Sequence, residues 1–238
     1  MKTVVVVPTY NESSNITLLL QALLKLKLPN SHFLVVDDNS PDGTAERVLD
    51  LQKKHKQVHL LLRTKERGRG SAGIAGYKQA LAMGADVICE MDADFSHDPR
   101  YLPSLLQGLA HADVVLGSRE IEGGRDDDRP LRRQLLTKCA NFYIRFFLGL
   151  HVKDCNSGYR CFKRKVLETI DLDHMLAQGP DLVQEVLYKS HLKGFHIAEV
   201  PISFVERKHG ISKLGYKHLY KGYFMVLKLR LLKLFGRL

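Results

Sequence analysis

The chain has 238 residues and is 45% hydrophobic, which is ordinary for a globular core and predicts one large domain or one domain with a small appendage. Its 36 Lys and Arg against 26 Asp and Glu leave a net charge of +10, pointing to an anionic partner such as nucleic acid, anionic lipid or a phosphorylated substrate. Four scattered cysteines form no Cys-x-x-Cys pair, so neither a disulfide nor a zinc site is expected, and the short opening apolar run reads as a first strand rather than an export signal.

In chain order, apolar runs at 4–7, 33–36, 58–62, 87–91 and 114–116 predict buried strands, and the intervening 16–26, 44–54, 71–83 and 99–109 carry helical spacing. A β-α-β-α series of this kind implies an α/β fold with a mostly parallel sheet, helices on both faces and ligands where the strands end. The stretch 120–130 reads as a mobile loop with a solvated acidic triplet at 126–128, and a long apolar-basic helix follows over 131–148. A polar turn at 154–160, a helix at 181–192 and an edge strand at 197–204, with Pro201 on the sheet margin, complete the pattern.

Three predicted strand ends carry polar loops. Pro8-Thr9-Tyr10-Asn11-Glu12 follows the first strand, Asp37-Asp38-Asn39-Ser40-Pro41-Asp42-Gly43 the second, and Asp92-Ala93-Asp94 the fourth. Two carboxylates flanking one small residue can offer oxygens to a hard divalent cation, which neutralises a nucleotide diphosphate. An isolated Asp-x-Asp is more often a solvated pair, but three polar loops on one sheet edge favour a site. Arg67-Gly68-Arg69-Gly70-Ser71 precedes a helix whose first N–H groups suit either a phosphate or an ordinary capping loop.

Pro8 to Glu12, Asp37 to Thr44, Met91 to Pro99 and Val200-Pro201-Ile202-Ser203-Phe204, in this order and spacing, resemble family 2 glycosyltransferases, and within them the polyprenyl-phosphate (dolichyl-phosphate) mannosyltransferases. The resemblance covers about residues 3–215. It implies a GT-A fold and inverting transfer of a sugar, mannose from GDP-mannose, to a polyprenyl or dolichyl phosphate. By resemblance, Pro8, Tyr10, Glu12, Asp37, Asp38 and Gly70 hold the nucleotide, Asp92 and Asp94 bind Mg²⁺ or Mn²⁺, and Asp94, Arg119 and Arg133 form the catalytic set. Arg119, Arg133 and Thr137 fall where the family grips the acceptor phosphate. Arg207 and Lys213 match its cations facing the phosphates, Asp154 orients acceptor-side groups, and Glu185 lies near the donor sugar. Ser96 replaces a better third metal ligand, and Leu182-Val183 replace an aromatic-polar pair, which leaves the sugar open.

Residues 1–213 are thus expected to form the catalytic domain, and 214–238 a basic amphipathic helix on the cytoplasmic face of a membrane, since no apolar run there approaches the ~20 residues of a span. A helix packed on the core with snorkelling lysines is the alternative, and a separate anchor protein is compatible with either. Two other functions stay open: a family 2 transferase using another nucleotide-sugar or a non-lipid acceptor, and a non-catalytic nucleotide- or nucleic-acid-binding module. Nucleic acid is disfavoured as a partner because the acidic loops would repel it.

Overall fold

The computed structural model describes residues 1–65, 67–126, 129–205 and 216–238. A seven-stranded sheet organises them in the order β3-β2-β1-β4-β6-β5-β7. The strands are β1 (Thr3–Thr9), β2 (Ser31–Asp37), β3 (Val58–Leu62), β4 (Val87–Glu90), β5 (Val114–Ser118), β6 (Arg160–Lys163) and β7 (Ile197–Pro201). Only β6 runs antiparallel, to β4 on one side and β5 on the other. Every residue of β1 is buried, as a central parallel strand covered on both faces requires, and its run of valines is suited to that environment.

Alternation along the strands divides the core into two layers. Val4 and Val6 belong to the layer that carries α3 (Arg69–Ala82), α5 (Leu131–Leu148) and α7 (Leu182–Leu192), with α3 against β1. Val5 and Val7 face α1 (Ser13–Lys25), α2 (Thr44–Lys54) and α4 (Leu102–Gly108). A short α6 (Arg164–Thr169) follows β6, and the last helix is α8 (Tyr216–Leu234).

The predicted strands and helices of the first half are present, and β7 forms one margin of the sheet. Strand β6 and α6 were not expected: Arg-Cys-Phe-Lys holds too short an apolar signal, and an antiparallel insertion interrupts the β-α alternation. The described part of the loop after β5 is tied to the sheet margin, and residues 127 and 128 of its acidic triplet lie outside the described residues. Arg125 bridges to Ser203 beyond β7, donating to the Ile202 carbonyl and accepting from the Phe204 amide at 2.9 Å. Asp126 of the acidic triplet is paired with Arg129 rather than solvated. Helix α8 buries Met225, Val226 and Leu229 against α5 and α7, and the Tyr143 hydroxyl of α5 donates to the Tyr223 carbonyl. The core-packed alternative therefore describes one face of α8, and its opposite face leaves Phe224, Leu231, Leu234 and Phe235 exposed.

Candidate active site

The carboxyl ends of β1, β2 and β4 each turn through a residue of positive φ, Asn11, Asn39 and Phe95 respectively. These sharp turns fold the three polar loops back over the sheet edge, around a pocket of about 880 Å³. Pro8, Tyr10, Glu12, Asp38, Asp92 and Asp94 all line it, so six of the sequence-derived positions converge.

The two carboxylates after β2 have different environments. Asp37 is fully buried and accepts from the Thr9 hydroxyl, the Ser40 amide and the Ser40 hydroxyl at 2.6 to 2.9 Å, tying the first two loops together. Asp38 borders the pocket, taking the Arg63 guanidinium at 2.8 Å and the Gly68 amide at 2.7 Å. Burial raises the Asp38 pKa, against the opposing pull of that amide and of Arg63. Arg67 stands over the Tyr10 ring, 5.3 Å from its centroid, and completes this end of the pocket.

The first amides of α3 are not open to a phosphate. Those of Gly70 and Ser71 donate to the Gln178 carbonyl, and a Cβ at Gly70 would come within 2.5 Å of the Gly179 carbonyl oxygen. Gly70 thus admits the 176–181 loop onto the helix end. Glu185 explains the placement of that loop: fully buried and outside the pocket lining, it accepts from the Leu176 and Ala177 amides and pairs with Lys189 at 3.0 Å.

Below the Asp92-Ala93-Asp94 turn, Arg69 joins Glu90 at 2.6 Å to Asp92 at 2.9 Å. Burial alone would lower its pKa, but Glu90 and Asp92 outweigh that and hold the guanidinium charged. Asp94 is oriented by Ser96, whose amide and hydroxyl both donate to Oδ1. His97 is buried and accepts the Asp92 amide on Nδ1 at 3.0 Å; burial lowers its pKa despite the nearby carboxylates, which agrees with an unprotonated Nδ1. Arg69 escaped the sequence reading, and His97, which by sequence alone reads as a solvated loop histidine, is instead buried; neither role is visible without the fold of the turn.

The His97 ring leads toward Arg119, one of the residues expected to grip the acceptor. It stacks on Tyr159 and meets Phe204 edge-on at 6.1 Å. Arg119 and Arg129 each lie 5.1 Å from the centroid of Phe204. Arg119 is locked on Asp154, while Arg129 holds Asp126 and reaches the Thr137 hydroxyl at 3.3 Å. Arg133 is exposed on the first turn of α5, one helical turn before Thr137, whose hydroxyl donates to its carbonyl. Arg129 is a further cation that sequence reasoning missed. Arg207 and Lys213 lie outside the described residues.

Helix α8 closes the pocket, contributing Lys221, Phe224, Met225 and Lys228 to its lining. An apolar hollow of about 440 Å³ runs outward along the same helix past Leu227, Leu231 and Phe235, sharing Phe224 and Lys228 with the pocket. Among the described residues, no helix is long and apolar enough to cross a membrane.

A mostly parallel sheet with an acidic turn at its carboxyl edge and an interposed antiparallel strand defines a GT-A glycosyltransferase fold. Glucosyl-3-phosphoglycerate synthase from Mycobacterium tuberculosis, solved with Mn²⁺, UDP and glucosyl-3-phosphoglycerate, has this architecture, with a TM-score of 0.68 at 20% identity over 98% of this chain and 79% of that one. Residues 4–171 match the family described as Glycosyl transferase family 2, and the chain belongs to that family. It is 40% identical to the polyprenol monophosphomannose synthase of Mycolicibacterium smegmatis, over 94% of this chain and 85% of the relative. It is also 40% identical to the undecaprenyl-phosphate mannosyltransferase of Micrococcus luteus, over 90% and 88%. The dolichol-phosphate mannosyltransferase of Pyrococcus furiosus is 36% identical over 93% of this chain, which spans 61% of that protein.

Proposed function

We propose that the protein transfers mannose from GDP-mannose to a polyprenyl phosphate at a membrane surface, with inversion at the anomeric carbon. The observation that carries this reading is the pairing of two unlike ends in one site. Carboxylates line the donor pocket, and the arginines on Phe204 gather a short distance away, across His97. The similarity to three lipid-phosphate mannosyltransferases supports the choice of donor sugar and acceptor.

Asp92 and Asp94 fit a divalent cation, Mg²⁺ or Mn²⁺: they are hard oxygen ligands on one turn, held in place by Arg69 and Ser96. Among the described residues no group of three or more His, Cys, Asp or Glu side chains gathers at one point. When bound, the cation would supply Lewis-acid stabilisation of the leaving nucleoside diphosphate. Asp38, Tyr10 and Glu12 would bind the nucleoside, accepting from base N–H and ribose hydroxyl groups.

The acceptor phosphate is already an anion near neutral pH. Its oxygen attacks the anomeric carbon, the bond from that carbon to the diphosphate breaks, and GDP leaves with the electron pair. No proton need be removed, so the chain's task is positioning. Arg119, Arg133 and Thr137 would orient the phosphate, with Arg129 beside them; planar guanidinium donors match phosphate oxygens.

Helices α5 and α8 would form the membrane face. Phe142 and Phe146 of α5 and Phe224 of α8 are exposed, as is Phe235 just beyond α8, and Lys228, Lys233 and Arg237 stand among the outward-facing apolar side chains. The apolar hollow along α8 suits the isoprenoid chain. Radiolabelled GDP-mannose supplied with polyprenyl phosphate and Mg²⁺ or Mn²⁺ should yield a labelled lipid extractable into organic solvent. Transfer only to a water-soluble acceptor would refute the reading.

A further inference from the structure

Asn156 lies on the polar turn before β6 and lines the pocket, yet no phosphate-binding or metal-binding task falls to it. Its carboxamide is held from both sides. The Gln184 Nε2 of α7 donates to its Oδ1 at 2.9 Å, and its own Nδ2 donates to the Asn141 Oδ1 of α5 at 2.8 Å. The backbone on either side is fixed as well, because the fully buried Arg160 guanidinium donates to the carbonyls of Cys155 and Ser157, and also to that of Val183 on α7.

Asn141 and Gln184 are themselves buried, and the Asn141 Nδ2 and Gln184 Oε1 find no partner among the described residues. Two amides placed in such a layer are costly unless the carboxamide between them is useful. Each amide has two N–H donors and an oxygen with two lone pairs, so after these bonds Asn156 retains one donor and one acceptor. Reversing all three amides leaves the same residual pair.

We propose that Asn156 is a sugar-contacting residue that offers this donor and acceptor to hydroxyls of the hexose in transit. The inference rests on the proposed transferase activity. Its placement follows from the two neighbours of Asn156 on the turn. Two residues before it, Asp154 holds Arg119 on the acceptor side; two residues after it, Gly158 lies against Asp92, where a Cβ would be 3.8 Å from Oδ2. In an inverting displacement the anomeric carbon lies between the leaving oxygen and the attacking oxygen, so the sugar ring occupies the stretch that this turn borders. A neutral carboxamide fits hydroxyls there, where a charged group would compete for the phosphates.

The test compares full-length wild-type and Asn156→Ala protein in steady-state transfer from GDP-mannose and from its monodeoxy analogues, with GDP affinity measured by calorimetry. The alanine variant should lose about tenfold in kcat/KM with GDP-mannose while GDP affinity changes by less than about twofold. With one monodeoxy donor the wild type should fall to the level of the variant, and the variant should fall no further. Additive losses with every analogue, or an equal loss of GDP affinity, would overturn the assignment. Asn156→Ser carries the same comparison if the alanine chain does not fold. A wild-type chain inactive with every nucleotide-sugar would overturn the transferase activity and this role with it, whereas an active wild type with an indifferent variant overturns this role alone.

Discussion

Arg119 and Asp154 meet through two parallel hydrogen bonds, Nε to Oδ2 at 2.7 Å and Nη2 to Oδ1 at 2.8 Å, with the carboxylate wholly buried. The Arg119 amide adds a third bond to the same group. Burial would raise the Asp154 pKa, but the Arg119 charge and its hydrogen bonds outweigh that and hold the carboxyl below its usual range. The pair fixes the guanidinium against Phe204, at the entrance proposed for the acceptor phosphate.

Asp154→Asn should therefore destabilise the fold by about 3–5 kcal/mol at neutral pH, since it leaves a buried guanidinium without its counter-charge. A depressed folded-state pKa contributes stability above the unfolded value of about 3.9, and that contribution disappears as pH falls through the folded value. Urea unfolding from pH 7 downward should show a constant gap between wild type and variant that narrows only below about pH 4. A gap independent of pH down to the acid limit would contradict the linkage.

Asp94→Asn should leave the fold intact and remove metal-dependent donor binding, with transfer falling on the order of a hundredfold or more. The carboxylate belongs to a turn beyond β4, where the Ser96 amide and hydroxyl both donate to it. Calorimetric GDP titrations with Mn²⁺ and with chelator measure this directly. Near-normal turnover that stays sensitive to chelator would show that the metal lies elsewhere.

The fold was legible where residue type and environment agree. The valine run of β1 and the strand ends marked by Asn11, Asn39 and the Asp-x-Asp turn could be read directly, because a strand buried on both faces needs continuous apolar residues and its ligand loops do not. Strand β6 could not, since the burial of its Arg160 depends on the carbonyls of Cys155 and Ser157 in the preceding turn and of Val183 on α7, which only the folded turn brings together. Asp37 and Asp38 are identical as letters and differ only in what surrounds them. Arg129 lay in a stretch that composition marks as loop, and its role depends on Phe204, which is far along the chain. The buried face of α8 was hidden for a related reason: its apolar residues suit a core and a membrane interface equally.

Glu185→Ala should loosen the 176–181 loop from beneath. The substitution strips the Leu176 and Ala177 amides of their acceptor, at about 1–3 kcal/mol for each buried group left unsatisfied. Tm should fall, and amide hydrogen exchange at 176–181 should accelerate more than in β1. Glu185→Gln, which keeps an acceptor oxygen, should show a smaller change. Unchanged exchange in the alanine variant would mean that the loop is held by Gly70 and its contacts alone.

Arg133→Ala should raise the KM for polyprenyl phosphate several-fold while the KM for GDP-mannose stays near its original value, because an exposed arginine at the start of α5 would lose a contact with the acceptor and none with the nucleotide. Equal effects on both substrates would place the residue on the donor side.

Replacing Phe142, Phe146 and Phe235 together with Ser should abolish flotation with liposomes and reduce transfer to long-chain polyprenyl phosphate, while GDP binding is retained, since none of the three lines the donor pocket. All three rings are about 70% exposed or more (69%, 72% and 74%), so their removal does not open the core. Such rings gain by entering the interface, and the neighbouring Lys228, Lys233 and Arg237 add attraction to anionic headgroups that salt should weaken. Flotation at low and high salt, with and without acidic lipid, separates the two contributions. The apolar part should persist at high salt in the wild type and vanish in the serine variant; a wild-type protein that remains in the aqueous fraction under every condition would rule out this surface as the membrane face.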